Sequence, residues 1–294
     1  MASSNLHRVI DAWKVFDGAV TPRELRAAHE ALMTPYPAEP DIDSQPVDAG
    51  GVSAEWIAAS NASADRFVVY LHGGGFVMAS FDTHRGLMGR ISRSAEARVL
   101  GVNYRLAPEF PYPAALEDAT ATYNWLIANG ATASDVVIAG DSAGGGLALS
   151  TLVALRKAAG PMPAAAVCLS PWVDMEASGD SMTTKAAIDP VVQREGLLNN
   201  AKLYLGNGHR RAPLVSPLYA DLAGLPPLLI QVAESEVLLD DSKRLAGRAK
   251  RCGVQVSLEV WPEMVHVWQL FAAILPEAQQ AIEHIGAFIR EHAR

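Results

Sequence analysis

The sequence predicts an α/β protein with a mostly parallel central sheet and helices on both faces. Two observations carry this. Short apolar runs of strand character alternate with helical stretches along most of the chain, which is the pattern of parallel strands joined by helical crossovers. The chain has 294 residues, half of them apolar and under a fifth charged, enough for a sizeable core in one large α/β domain or two ordinary ones.

The elements follow in order. Residues 1–48 hold one clear helix, TPRELRAAHEALM, and then a Pro- and Asp-rich linker. GVSAEWIAAS (51–60) alternates and reads as an antiparallel edge strand. RFVVYLH (66–72) is a short apolar strand ending in glycines, and ARVLGVNY (97–104) is the next. DVVIAGD, AAAVCLS, PLLIQVA (227–233) and VQVSLEV (254–260) are the later strands. Helices are expected over 83–96, 114–128, 143–158, 238–252 and 278–291. Residues 175–217 break the rhythm, because they are helical with no strand. An insertion there lies above the C-terminal edge of the sheet, where ligands bind in such folds. The expected divisions are an N-terminal segment 1–48, core parts 49–174 and 218–294, and the insertion 175–217.

The net charge of −8 argues weakly against nucleic acid as a partner. Cys168 reads as a buried strand residue and Cys252 as the end of a basic helix, so neither a disulfide nor a metal site is expected. MASSNLHRVIDAWKVF lacks the pattern of a secretory signal, and no run reaches the length of a membrane span. A cytoplasmic location without a stable membrane anchor is the expectation.

The segment Gly140-Asp141-Ser142-Ala143-Gly144 matches G-x-S-x-G between a predicted strand and a predicted helix, the context that a nucleophilic serine requires. A hydroxyl lifted out of a sheet at a sharp turn needs strained backbone and leaves no room for side chains around it. The helix behind it offers free N–H groups to developing negative charge. Taken alone, the pentapeptide reads equally well as a glycine-rich turn with an N-capping serine. A phosphate loop is disfavoured because no Gly-Lys-Ser/Thr follows. The glycines 73–75 end the 66–72 strand, and their N–H groups, with that of Ala143, suit an oxyanion hole.

A serine hydroxyl needs a base. Of eight histidines, only His266, in WPEMVHVW, follows a late strand in a loop before the last helix. His7, His29, His284 and His292 read as surface or N-terminal residues. An acid that orients the base is expected between 142 and 266. Glu236 is best placed, just past the 227–233 strand. Glu234 reads as structural, and Asp240 and Asp241 fall in the first turn of the next helix.

Together the segments HGGGF (72–76), NYRLAPEFPYPAALEDA (103–119), GDSAGGGLA (140–148), SPWVDM (170–175), ESEVLLDD (234–241) and MVHVW (264–268) resemble the bacterial hormone-sensitive-lipase-like (family IV) carboxylesterases. The resemblance runs from about residue 50 to the C-terminus. It implies an α/β-hydrolase fold, a sheet of about eight strands, and a cap built from the N-terminal segment and the insertion. It also implies hydrolysis of short- to medium-chain acyl esters with no cofactor and no metal. Carried over, Ser142 is the nucleophile, His266 the base, and Gly73, Gly74 and Ala143 the oxyanion hole. The acid is often Asp in that family, where this chain has Glu236. An Arg105–Glu109 pair is expected to support the site, and Phe76, Met78, Trp172, Leu198 and Leu205 read equally well as acyl-pocket lining or as plain core residues. A homodimer paired through the 254–260 strand is a further expectation. The alternatives are a non-catalytic small-molecule binding protein on the same fold, an amidase or carbamate hydrolase with the same residues, and a weakly supported dinucleotide-binding fold.

Overall fold

Val136, Val137, Ile138 and Ala139 are all fully buried, so the strand they form must lie inside the sheet with both faces covered. It does so in the computed structural model, which describes residues 5–294. The strands are β1 (Ile42–Asp48), β2 (Ser53–Ala59), β3 (Phe67–Leu71), β4 (Arg98–Val102), β5 (Val136–Asp141), β6 (Ala165–Leu169), β7 (Leu228–Ala233) and β8 (Val256–Trp261). They form one sheet in the order β1-β2-β4-β3-β5-β6-β7-β8. Pairing is antiparallel from β1 to β4 and parallel from β4 to β8. The helices are α1 (Leu6–Ala12), α2 (Pro22–Met33), α3 (Phe81–Ala95), α4 (Ala114–Ala128), α5 (Ala143–Lys157), α6 (Ser181–Thr184), α7 (Arg194–Leu205), α8 (Leu239–Arg251) and α9 (Pro276–His292).

Alternate residues of each central strand feed two cores. Val68 and Tyr70 of β3, with Val137 and Ala139 of β5, pack with Leu87 and Ile91 of α3 and Ile282 and Ile285 of α9. Val69, Leu71 and Ile138 pack instead with Tyr123 of α4, Leu147 of α5 and Leu245 of α8. This period of two on both faces leaves no polar register in β3, β5 or β6, and the order of the strands follows from the crossovers.

Three expectations change. The 51–60 strand is not an edge, because β2 pairs on both sides, with β1 and with β4. The linker before it contains the true edge strand, β1. Its polar sequence IDSQPVD is largely exposed, and its proline is tolerated because an edge strand has one side free of partners. Arg105 does not pair with Glu109. It binds Asp118 at 2.8 Å and Glu117 at 3.1 Å, while Glu109 binds Arg26 of α2 at 2.7 Å. That second pair fastens the N-terminal segment, since Arg26 also donates to the carbonyls of Val77 and Ala107.

The N-terminus of α5 is pressed against the end of β3. A Cβ at Gly144 would lie 1.9 Å from the Leu71 carbonyl oxygen. On α8, a Cβ at Gly247 would meet nothing closer than an Arg251 guanidinium nitrogen at 3.5 Å. Gly144→Ala is therefore expected to lower stability by about 1–3 kcal/mol through overpacking. Gly247→Ala should raise it by about 1 kcal/mol through helix propensity. Opposite shifts of the thermal midpoint in the two variants check this.

Candidate active site

Ser142 joins β5 to α5 at φ 50° and ψ −119°, a conformation that a non-glycine residue holds only when its surroundings impose it. Its N–H donates to Leu169 O at 2.8 Å, and its carbonyl accepts from Gly146 N and Trp172 N. The side chain does not cap the helix. It points to His266, whose Nε2 lies 2.9 Å from Ser142 Oγ. Ser142 is therefore not a simple N-capping serine.

His266 is buried in the loop after β8, with Nδ1 2.5 Å from Glu236 Oε2. A carboxylate can only accept, so Nδ1 carries the hydrogen and Nε2 presents its lone pair to the serine hydroxyl. Glu236 has no exposed surface. Its other oxygen accepts from the Ser170 hydroxyl and the Ala233 amide, both at 2.7 Å. Burial alone disfavours the protonated imidazole. The charge and hydrogen bond of Glu236, helped by Asp189 and Asp141, outweigh it and hold His266 above its ordinary value.

The other candidate acids are engaged elsewhere. Asp240 accepts from Ser181 N. Asp241 accepts from Val173 N and Asp174 N at 3.0 Å each, and burial pushes its carboxyl up to about 8. Glu234 is exposed.

The glycine loop requires a correction. The Gly73 amide, an expected oxyanion donor, is spent on Asp141 Oδ1 at 3.0 Å, and Gly73 does not line the cavity. Gly74 and Gly75 do line it. Their amides, and that of Ala143, donate to no protein group among the described residues. Asp141 also accepts from the Tyr70 hydroxyl at 2.9 Å and lies 3.3 Å from His84 Nε2. Burial works against its ionisation, but His84 and Tyr70 prevail and hold it below the usual carboxylate range.

A cavity of about 530 Å³ opens onto Ser142 and His266, a size that suits a small organic ligand. Trp13, Phe16, Val20 and Leu25 from the N-terminal segment supply apolar wall, while Gln193, Asn199 and Asn200 supply polar wall. Of the five candidate pocket residues, only Met78 lines it. Phe76 and Trp172 are buried core side chains, and Leu198 and Leu205 pack against that core. His29, expected on the surface, is buried and stacked on His84 with ring centroids 5.6 Å apart. Burial and the neighbouring His84 drive His29 down to about 3, so it is a neutral spacer at ordinary pH. A smaller hollow of about 300 Å³ over α8 has no serine–histidine pair.

A family profile described as alpha/beta hydrolase fold matches residues 68–270. An acetyl-hydrolase of Streptomyces hygroscopicus is 43% identical over 296 aligned residues, covering 99% of this chain and 97% of the relative. The crystal structure of an esterase from the bacterial hormone-sensitive lipase family superposes with a TM-score of 0.98 at 50% identity over 100% of both chains. Esterase EstE5, in a crystal soaked with p-nitrophenyl butyrate, superposes with a TM-score of 0.95 at 43% identity over 99% of both chains. The chain belongs to the alpha/beta-hydrolase-fold family. Within that family it is a carboxylic ester hydrolase of the hormone-sensitive-lipase type.

Sequence reasoning missed Ser170 and Asp189 as supports of the site. Ser170 ends β6 as an ordinary serine in SPW, and only the sheet order reveals that it meets Glu236. Asp189 had a signal, the Asp-Pro step of AIDPVV, which marks a turn. Asp141 is the support with the most direct reach to the glycine loop. Asp141→Ala is expected to leave the Tyr70 hydroxyl and the Gly73 amide buried without an acceptor, at about 1–3 kcal/mol for each group. Denaturant unfolding would read that loss, and kcat should fall at least tenfold with it.

Proposed function

We propose that the protein hydrolyses short- to medium-chain acyl esters by a Ser142–His266–Glu236 triad through an acyl-enzyme. The observation that carries the reading is the unbroken relay from Ser142 Oγ to His266 Nε2 at 2.9 Å and from His266 Nδ1 to Glu236 at 2.5 Å, opening onto the cavity. Ser142 Oγ attacks the ester carbonyl as His266 Nε2 takes its proton. The carbonyl oxygen gains charge against the amides of Gly74, Gly75 and Ala143 at the positive end of α5. His266, now cationic and stabilised by Glu236, gives its proton to the departing alcohol. Water then gives a proton to His266 as its oxygen adds to the acyl carbonyl, the bond from that carbonyl to Ser142 Oγ breaks, and His266 returns the proton to Oγ as the acid leaves.

The soaked ester of the EstE5 crystal and the acetyl-hydrolase name of the Streptomyces relative support acyl groups of acetyl to butyryl size. The N-terminal segment and the 175–217 insertion together act as the cap, since both contribute wall to the cavity. Among the described residues β8 pairs only with β7, and a second copy is the partner we assign to its free edge.

Hydrolysis of a p-nitrophenyl ester series should peak at short acyl chains. Ser142→Ala should lower kcat by about 10⁴-fold or more. Retention of the wild-type rate in that variant would remove the reading.

The base must be neutral to act, so activity is lost as pH falls through the pKa of His266. That pKa is raised, so the acid limb of kcat/KM should have its midpoint above the ordinary value of about 6.5. Removing the Glu236 charge should move the limb to lower pH in Glu236→Gln while also lowering kcat.

A further inference from the structure

Asp189 lies between α6 and α7, in the insertion, and beyond its charge near His266 the chemistry above gives it no part. Its side chain is 4% exposed. Oδ1 accepts from the amides of Val191 at 2.8 Å and Val192 at 2.9 Å. Oδ2 accepts from the amide of Val237 at 2.7 Å. Burying a carboxylate is unfavourable unless its lone pairs are satisfied, and here three backbone N–H groups do so.

Those donors belong to two different parts of the molecule. Pro190, Val191 and Val192 form part of the cavity wall. Val237 directly follows Glu236. The peptide between Glu236 and Val237 is planar, so pinning its N–H fixes the rotation of the Glu236 backbone. The far end of that side chain is held separately, by Ser170 and Ala233.

We propose that Asp189 is a positioning residue that sets Glu236 against His266 and couples the insertion wall of the substrate cavity to the turn carrying the acid. The proposal rests on the reading of Glu236 as the partner of the base. Displacement of the Val191 and Val192 turn pulls on the same carboxylate that orients the Glu236 turn. A substrate that seats against this wall thus reinforces the relay, and one that pushes the wall outward weakens it. The charged groups acting on His266 here are Glu236, Asp189 and, from the end of β5, Asp141. Burial and the nearby Glu236 favour the neutral form of Asp189, while its amide partners and His266 favour the charged form.

Two variants test this. Asp189→Asn turns one acceptor position into an NH₂ donor, which then faces an amide N–H. Asp189→Ser keeps a hydroxyl able to accept from Val191 or Val192 in a local turn but is too short to reach Val237. If the first fails to fold by circular dichroism, the second carries the test. Both are measured with p-nitrophenyl butyrate across pH, alone and combined with Glu236→Gln.

The expected result is a loss in kcat of at least tenfold for each single Asp189 variant, with the acid limb of kcat/KM moved to lower pH. In the Glu236→Gln background the same change should cost less than twofold in kcat, because the positioning route is already cut, and any acid-limb shift that remains there reads the direct charge of Asp189 on His266. Wild-type kcat and pH limb in a folded Asp189 variant would overturn the proposal. So would a second full tenfold loss on top of Glu236→Gln. The Glu236→Gln single variant separates the two levels: if it alone leaves rate and pH limb unchanged, the triad reading itself is lost.

Discussion

A carboxylate with no exposed surface must find its stabilisation inside the protein, and the site is organised around that constraint. Glu236 is such a group. Its oxygens are met by an imidazole, a hydroxyl and an amide, which come from the loop after β8, the end of β6 and the end of β7. Three parallel strands must therefore be in register before the charge is tolerable. The parallel half of the sheet and the relay are in this sense one structure. A strand displaced by a single residue would leave an anion buried without donors.

A second buried carboxylate stands on the other side of Ser142. Asp141 occupies the last position of β5 and borders the cavity, with its carboxylate engaged by Tyr70, Gly73 and His84. The two anions divide the work around one hydroxyl. One accepts from His266, and the other holds the first glycine of the loop so that the next two amides are left for the cavity. The turn between them needs small residues because α5 starts against the Leu71 carbonyl. Strain at Ser142 is held by hydrogen bonds of its own backbone to Leu169, Gly146 and Trp172.

Much of this was legible in the chain. β3 to β8 and the helices α3, α4, α5, α8 and α9 fall within a few residues of where apolar runs and helical spacing put them, because both cores are built from those side chains. Ser142, Glu236 and His266, the residues proposed as a triad, could be singled out because each sits at a strand end with few competitors nearby, and the structure brings them within hydrogen-bond reach of one another. What was not legible depends on contact across the sheet. β1 is polar, exposed and carries a proline, so nothing local distinguishes it from a linker. His29 looks like a surface residue of an amphipathic helix until α2 is laid against His84. The choice between Gly73 and Gly75 could not be made from three identical residues, since it turns on which amide Asp141 takes.

The first residues of the described chain are tied to some of the last ones. Asn5 donates to Ile274 O at 2.6 Å, Trp13 meets Phe271 edge-on, and Arg26 reaches Val77, Ala107 and Glu109. A ribosome delivers this segment before any of its docking sites exist. The sites of Arg26 emerge early, whereas Asn5 and Trp13 have no partner until residues 271–274 have left the ribosome. The part of the cavity wall that Trp13 supplies therefore cannot reach its final place until Phe271 has been made.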